Sequence, residues 1–161
     1  MNTDTFQYRL MELTALSGEF PADLLWRLGM GGSYGEKMIT RLKDERLLKT
    51  HYRDKLRGYR LSSVGKKALL AENPERFSFY LTGSSDTNQP RSEPPRRLRL
   101  HQTARTYQLL TAAGIEIFRD RKPNLFQAGE PASMQVLPCP VYYHSREIKE
   151  LGMETVKVNN S

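Results

Sequence analysis

The fold is decided by residues 33–65, SYGEKMITRLKDERLLKTHYRDKLRGYRLSSVG. The first part of this stretch predicts a helix from Ser33 to Glu45, since apolar side chains recur there at helical spacing. These apolar residues are Met38, Ile39 and Leu42. Ser33 and Glu36 form the S-x-x-E pattern, in which each side chain satisfies an unpaired N–H group at the start of a helix.

A β-hairpin and another helix are predicted after this helix. The runs Leu47–Tyr52 and Tyr59–Leu61 are strand-like, and the polar segment Arg53–Gly58 between them predicts a turn with a basic tip. Ser62 begins the next helix, and Asn73-Pro74 ends it, because proline disfavours a helical conformation at the residue before it.

Two shorter helices are predicted before residue 33. The segment from Thr5 to Leu16 carries an apolar stripe at three- and four-residue spacing, which predicts a helix. Pro21 suits the first turn of a second, short helix. Gly29 to Gly32 forms a tight connection that can adopt positive φ angles.

The second half of the chain has weaker patterns. The aromatic residues of segment 77–81 are expected to pack back on the first domain, although a nucleic-acid stacking surface or a dimer contact is an alternative. Residues 83–95 have the composition of a linker. A helix from Arg96 to Ala113, a short strand over Ile115–Phe118, a helix over Ser145–Leu151 and a strand at Val156–Val158 follow.

The chain is therefore predicted to have an α+β fold, with a first domain at 1–83, a linker at 84–95 and a small mixed α/β domain at 96–161. Because it stops just after a strand-like run, we expect the second domain to be incomplete. The helix from Arg96 either forms the core of that domain or pairs with a second subunit in a homodimer. Its arginines also suit phosphate contacts: Arg97, Arg99 and Arg105.

Most of the net charge of +7 lies in one short stretch. Residues 33–66 contain ten Lys and Arg against four Asp and Glu. Such a patch is typical of proteins that bind polyphosphates, although charge alone is explained equally well by a basic solvated surface.

Composition excludes several classes of protein. The chain of 161 residues is 38% hydrophobic and 27% charged, as in ordinary soluble proteins. It has no apolar run of about 18 residues and no leader-like N-terminus, so neither a membrane span nor a signal peptide is predicted. The single cysteine, Cys139, has no partner for an internal disulfide, and we expect a cytoplasmic protein.

The order helix, short helix, glycine turn, helix, hairpin, helix is that of a winged helix-turn-helix. The outer face of its third helix must reach base edges and phosphates in the major groove of DNA, and the hairpin contacts the DNA backbone or an adjacent minor groove. On the helix the candidate DNA-binding residues are Ser33, Tyr34, Lys37, Thr40 and Arg41. On the hairpin they are Arg53, Lys55 and Arg57.

Two segments resemble a known family. Glu45-Arg46-Leu47-Leu48-Lys49 and Gly58-Tyr59-Arg60-Leu61-Ser62-Ser63-Val64-Gly65, with Leu69, are similar to the hairpin and following helix of many bacterial winged-helix regulators. Their usual form is G-[YF]-x-[LI]-T-x-x-G-x-x-x-L, and Ser62 replaces the threonine. The resemblance covers about residues 5–70. It implies sequence-directed binding of double-stranded DNA by a transcriptional regulator, whereas other winged helices serve as protein-interaction modules.

The rest of the chain is similar to proteins of mobile elements in Gram-positive bacteria, of the replication-relaxation or plasmid-mobilisation type. Three segments carry this resemblance: Arg76–Gly83, Arg99-Leu100-His101 and Tyr142–Lys149. It implies an accessory role in plasmid or transposon replication or transfer.

An enzyme is the main alternative. A metal-dependent nuclease, or a relaxase-associated protein targeted by the winged helix, would need paired acids and a nearby lysine. The acids available are Glu116, Asp120 and Glu147, and Lys122 is the lysine. His101, His144 and Cys139 lack partners at metal-ligand spacing, so no metal, cofactor or catalytic residue is predicted.

Overall fold

The structure, a computed structural model, describes residues 5–29, 32–81, 93–122, 139–144 and 147–148. The chain divides into two compact units, Met1–Leu109 and Leu110–Ser161. Both helices and a small antiparallel sheet are present among the described residues, so the mixed α+β class is confirmed.

Helix α1 (Phe6–Ser17) begins and ends at defined caps. Thr5 Oγ1 accepts the N–H of Tyr8 at 3.4 Å, and Gly18 ends the helix in the left-handed conformation with φ 80°. Of the predicted apolar stripe, Leu10 and Leu13 are buried. This stripe anchors the helix in the core of the first unit.

The sheet has three antiparallel strands in the order β1-β3-β2. They are β1 (Phe20–Pro21), β2 (Leu48–Arg53) and β3 (Leu56–Leu61). β1 has only two residues, which pair with Tyr59 and Gly58 of β3, and it was not predicted because two residues show no alternation. The predicted second helix is a 3₁₀ helix (Ala22–Leu28), and it precedes α2 (Gly32–Asp44).

The turn of the β2–β3 hairpin is shorter than predicted. Arg53 pairs with Leu56, so only Asp54 and Lys55 connect the strands, and the predicted six-residue turn is wrong. Both turn residues have positive φ, 51° and 61°, as a two-residue turn of type I′ requires. The sequence hides this turn because it lacks the usual Asn-Gly or Asp-Gly signal.

Helix α3 (Ser63–Glu72) has the start that the sequence predicts. Ser62 Oγ accepts the N–H of Gly65 at 3.0 Å and donates to the carbonyl of Arg46. Gly65 must be glycine here, because a Cβ would overlap the carbonyl oxygen of Leu47. The contact fastens the end of the hairpin to α3.

Helix α4 (Pro74–Leu81) contains the aromatic run. Phe77 is fully buried, and its ring lies edge-on to that of Tyr8, with centroids 6.4 Å apart. Phe79 is also buried. The expected packing of these aromatic residues on the first unit is therefore confirmed.

Helix α5 (Pro94–Ala112) begins two residues before the predicted start. The first unit includes its residues up to Leu109, whereas the sequence suggested a second domain from residue 96. On α5, Ala104 and Tyr107 lie three positions apart and form a buried stripe. Because the helix packs there within the first unit, its stripe is part of that unit's core.

In the second unit, the predicted strand over Ile115–Phe118 is reduced to a single parallel bridge between Glu116 and Val141. A 3₁₀ helix (Arg119–Arg121) follows the bridge residue Glu116. Most of the predicted linker, the strand at 156–158 and most of the helix at 145–151 lie outside the described residues. In the part of the chain that is described, no helix has both the length and the apolar character to cross a membrane.

Candidate functional site

Helix α2 has a buried face and an exposed face. Ile39 is 4% exposed and Leu42 0%, and these side chains hold the helix in the first unit. All five predicted helix residues are exposed: Ser33, Tyr34, Lys37, Thr40 and Arg41. Their spacing of three, four and seven places them on one side of the helix, so cationic, hydroxyl and aromatic groups face solvent together.

Two of these side chains have local partners that leave them available. Arg41 Nε lies 2.8 Å from Glu45 Oε1, one turn along the helix, and both side chains are largely exposed. Such a pair contributes at most about 1 kcal/mol and is readily exchanged for another anion. The Thr40 hydroxyl donates to the Glu36 carbonyl at 2.9 Å, and its lone pairs remain able to accept hydrogen bonds.

The predicted capping role of Ser33 is wrong, because Ser33 is the second residue of the helix and does not precede it. α2 begins at Gly32, so Ser33 lies in the first turn of the helix. Its position still suits an anion, because the N–H groups of the first turn have no partner within the helix.

The three predicted hairpin cations differ in their placement. Lys55 is one of the two turn residues and is exposed, whereas Arg53 and Arg57 lie in the paired strands. The side chain of Arg53 is 65% exposed, and its Nε lies 3.4 Å from the Asp54 carboxylate. The basic tip is thus a two-residue turn between paired strands, with one cation in the turn and one in each strand.

The two arginines face opposite sides of the hairpin. Arg57 pairs with Tyr52, and strand alternation places both on the same face as Tyr59. Burial raises the pKa of Tyr59. The charge of Arg57 and its hydrogen bond to the hydroxyl lower this pKa, and the nearby charge of Glu36 on α2 raises it. Arg57 therefore lies on the sheet face next to α2, and Arg53 lies on the other face.

Sequence reasoning missed two exposed aromatic residues. Tyr52 is 71% exposed and lies directly opposite Arg57. Trp26 is 66% exposed, and the guanidinium of Arg27 lies 5.1 Å from its ring centroid. Strand alternation opposite Arg57 was the available signal for Tyr52, whereas Trp26 lies within an apolar run that predicts burial.

A buried ionic cluster lies on the other face of the hairpin. It contains Glu19, which follows α1, Arg60 of β3, and Arg97 and His101 of α5. Glu19 is 0% exposed, and its carboxylate is 2.7 Å from a guanidinium nitrogen of Arg60 and 2.7 Å from one of Arg97. His101 Nε2 lies 2.8 Å from Glu19 Oε1. One carboxylate thus joins α5, β3 and the end of α1.

Close packing around this carboxylate explains a glycine of the hairpin. A Cβ added at Gly58 would overlap Oε1 of Glu19 and lie 2.8 Å from its Cδ. Gly58 is therefore required by the bulk of the Glu19 side chain, because its own φ is not in the left-handed region.

The electrostatics of the cluster favour ionised Glu19. Burial by itself raises the pKa of this carboxyl, but hydrogen bonds from His101, Arg97 and Arg60 outweigh burial and lower the pKa to about 2. Close by, burial and the Arg60 charge lower the pKa of His51.

The α5 arginines do not all suit phosphate contacts. Arg97 is 2% exposed and bound to Glu19, so the predicted phosphate contact of this residue is wrong. Arg105 lies 2.6 Å from Asp23 of the 3₁₀ helix. Arg99 is exposed, so its predicted phosphate contact stays a prediction.

In the second unit, Lys122 and Glu147 form a buried pair. Lys122 Nζ lies 2.7 Å from Glu147 Oε2, and these side chains are 3% and 4% exposed. Burial lowers the pKa of Lys122, and the partner carboxylate opposes that shift. Glu116 Oε1 accepts the N–H groups of Ile117 and Phe118, and Asp120 lies in the short 3₁₀ helix.

Lys122 and Glu147, two of the residues considered for a nuclease, therefore form an ion pair with each other. Among the described residues, no group of three His, Cys, Asp or Glu side chains is placed to hold a metal ion.

Comparison with known proteins identifies no relative: no protein family, curated protein or solved structure matches the chain.

Proposed function

We propose that the first unit is a winged helix that binds double-stranded DNA, with α2 in the major groove and the β2–β3 hairpin as the wing. The observation that carries the proposal is the exposed face of α2, on which Lys37, Thr40 and Arg41 project while Ile39 and Leu42 anchor the opposite face. A helix of this kind fits a major groove about 12 Å wide.

The order of elements supports the same function. α1, the 3₁₀ helix and α2 are followed by a hairpin whose outer strand pairs with β3, and β3 also pairs with the short β1. Helix-turn-helix proteins place the second helix of the motif against base edges, and the wing adds contacts to the backbone. Arg57 and Tyr52 lie on the hairpin face next to α2, where they extend the surface of that helix.

Each part of the surface has a distinct role in the proposed complex. Arg41 suits a bidentate contact to guanine or a phosphate, and Lys37 suits a phosphate. The first turn of α2, with Ser33 and Tyr34, binds the sugar–phosphate backbone through N–H groups and hydroxyls. Lys55 at the wing tip contacts a phosphate or an adjacent minor groove. The unit serves a transcriptional regulator or an accessory protein of plasmid or transposon replication or transfer.

The test is binding of the full chain to a labelled random duplex pool at salt concentrations from about 50 to 300 mM. We expect the logarithm of affinity to fall linearly with the logarithm of salt, with a slope near −0.9 for each neutralised phosphate. Arg41→Ala is expected to cost about 1–3 kcal/mol, or roughly 5- to 150-fold in Kd. Arg9→Ala is the matched control, because Arg9 is an exposed arginine of α1.

Two results would refute the proposal. One is no retention of duplex at about 50 mM salt, where nonspecific phosphate contacts are strong. The other is equal loss of affinity in Arg41→Ala and Arg9→Ala, which would show that only total charge matters. Enrichment of one sequence from the pool would support a direct readout of bases.

A further inference from the structure

Three backbone carbonyls around the hairpin turn accept hydrogen bonds from one side chain of a helix that is distant in sequence. The guanidinium of Arg97 on α5 donates to the carbonyls of His51 at 3.1 Å, Arg53 at 3.3 Å and Leu56 at 3.1 Å. His51 and Arg53 belong to β2, and Leu56 begins β3. The contacts therefore reach both strands on either side of the turn residues Asp54 and Lys55.

The same guanidinium is fixed from behind by Glu19. Arg97 Nε lies 3.1 Å and 3.2 Å from the two carboxylate oxygens, and a terminal nitrogen lies 2.7 Å from Oε1. A guanidinium has five N–H donors in a rigid planar fork. Here that fork is divided between one carboxylate and three carbonyls, so the position of the carboxylate determines the position of the turn.

Burial makes this contact strong. Arg97 is 2% exposed, so water does not compete freely for its donors, and a charged donor bound to a carbonyl contributes more than a neutral one. An isolated two-stranded hairpin is only marginally stable in water, and the third strand of this sheet, β1, has only two residues. The predicted DNA-binding cations Arg53 and Lys55 sit on or beside the carbonyls that Arg97 holds.

We propose that Arg97 is a positioning residue that holds the wing in the orientation needed for DNA contact, without touching DNA itself. This inference rests on the proposed function for its effect on DNA, but the anchoring of the hairpin can be measured without DNA. α5 thereby acts as part of the DNA-binding unit.

The decisive variant is Arg97→Lys, which keeps the charge and removes the fork. One ammonium group cannot reach Glu19 and carbonyls on both strands together. Arg99→Lys is the matched control, because Arg99 is an exposed arginine two positions along the same helix. Hydrogen exchange measured by mass spectrometry is expected to show faster exchange at residues 52–57 in Arg97→Lys and no change in Arg99→Lys.

A double-mutant cycle that combines Arg97→Lys with a wing variant separates the effect on DNA binding from general destabilisation. In a wing-neutral variant (Arg53→Gln, Lys55→Gln, Arg57→Gln), the magnitude of the salt slope of duplex binding is expected to decrease by roughly one to three, about 0.9 for each lost phosphate contact. Arg97→Lys alone is also expected to make the slope shallower. Added to the wing-neutral variant, it is expected to change the slope no further.

Each outcome decides a separate claim. If the wild type does not bind duplex, the proposed function fails, and exchange in the hairpin alone then tests the anchor. If Arg97→Lys leaves hairpin exchange unchanged, or lowers the salt slope equally with and without the wing cations, the positioning role is wrong. If Arg97→Lys does not fold, hydrogen exchange in the wild-type protein tests whether Arg97 anchors the hairpin. Exchange of the hairpin and the Arg97 segment of α5 in one cooperative step supports the anchor, and independent fast exchange of the hairpin overturns it.

Discussion

Replacing Glu19 with glutamine removes the one carboxylate that Arg60, Arg97 and His101 share. Glutamine keeps the shape of the side chain and one acceptor oxygen, but it removes the negative charge that the buried guanidinium groups of Arg60 and Arg97 contact. Removing one partner of a buried ion pair destabilises proteins by about 3–5 kcal/mol, because the remaining charge stays buried without compensation.

The magnitude also follows from the pKa of Glu19, which is lowered from 4.5 to about 2 in the folded chain. At about 1.4 kcal/mol per pKa unit, this shift corresponds to about 3 kcal/mol of stability at neutral pH. Because the folded pKa is depressed, the stabilisation is fully present above about pH 4.5 and is lost as the pH falls towards 2. By pH 3, about 2 kcal/mol of it should be gone.

The assay is urea unfolding of the wild type and Glu19→Gln at several values between pH 7 and pH 3. The difference in unfolding free energy should be largest at pH 7 and should shrink by about 2 kcal/mol at pH 3. The charge of Glu19 also raises the pKa of the nearby His51, so the change between about pH 4.5 and pH 3 is the part that reports Glu19 itself. Glu45→Gln is the control, since Glu45 is in an exposed pair with Arg41 and should cost at most about 1 kcal/mol.

A difference that stays constant between pH 7 and pH 3 would contradict the assignment of the low pKa to Glu19. A cost at pH 7 no greater than that of Glu45→Gln would contradict the stabilising role of the whole cluster.

Three further substitutions test the packing of the first unit by chemical unfolding. Gly58→Ala should destabilise the chain by at least about 1–3 kcal/mol, because its Cβ would overlap the Glu19 carboxylate; a cost below about 1 kcal/mol would contradict that overlap, and Gly29→Ala, at a left-handed position with open space, measures the effect of backbone conformation alone. Phe77→Ala should cost about 3–5 kcal/mol, since the ring is fully buried, and a cost below 1 kcal/mol would be inconsistent with that burial. Ser62→Ala should cost about 1 kcal/mol through loss of the cap on α3, whereas Ser62→Thr, which keeps the hydroxyl, should restore most of it.

Local patterns predicted α1, α2, α3 and the two strands of the hairpin, but not β1 or the helical form of α4. The spacing of Leu10 and Leu13 predicted α1, Ser62 marked the start of α3, and Asn73-Pro74 marked its end, because each signal depends only on residues within one or two turns. The exposed face of α2 followed from the same periodicity. The positions of Lys37 and Arg41 on that face were therefore readable from the sequence.

Long-range partners were not readable. Arg97 looked like a solvent-facing cation among the arginines of segment 96–105, because its partner Glu19 lies 78 residues away. β1 escaped prediction since it is formed by pairing with β3 rather than by any pattern of its own. The short turn at Asp54 was missed because non-glycine residues adopt positive φ there.

The ionic cluster also sets an order in which the unit can be completed during synthesis. Arg60 follows Glu19 by 41 residues and Arg97 follows it by 78, so the ribosome delivers the first pair well before the last member. At about 5–20 residues per second, the 37 intervening residues take roughly 2–7 s to make. During that interval the nascent hairpin can pair its strands and bind Glu19 through Arg60, but the carbonyls beside its turn lack the hydrogen bonds from Arg97. A ribosome-bound chain that ends before α5 should therefore show a hairpin that is more easily cut by protease than the same hairpin in the released protein.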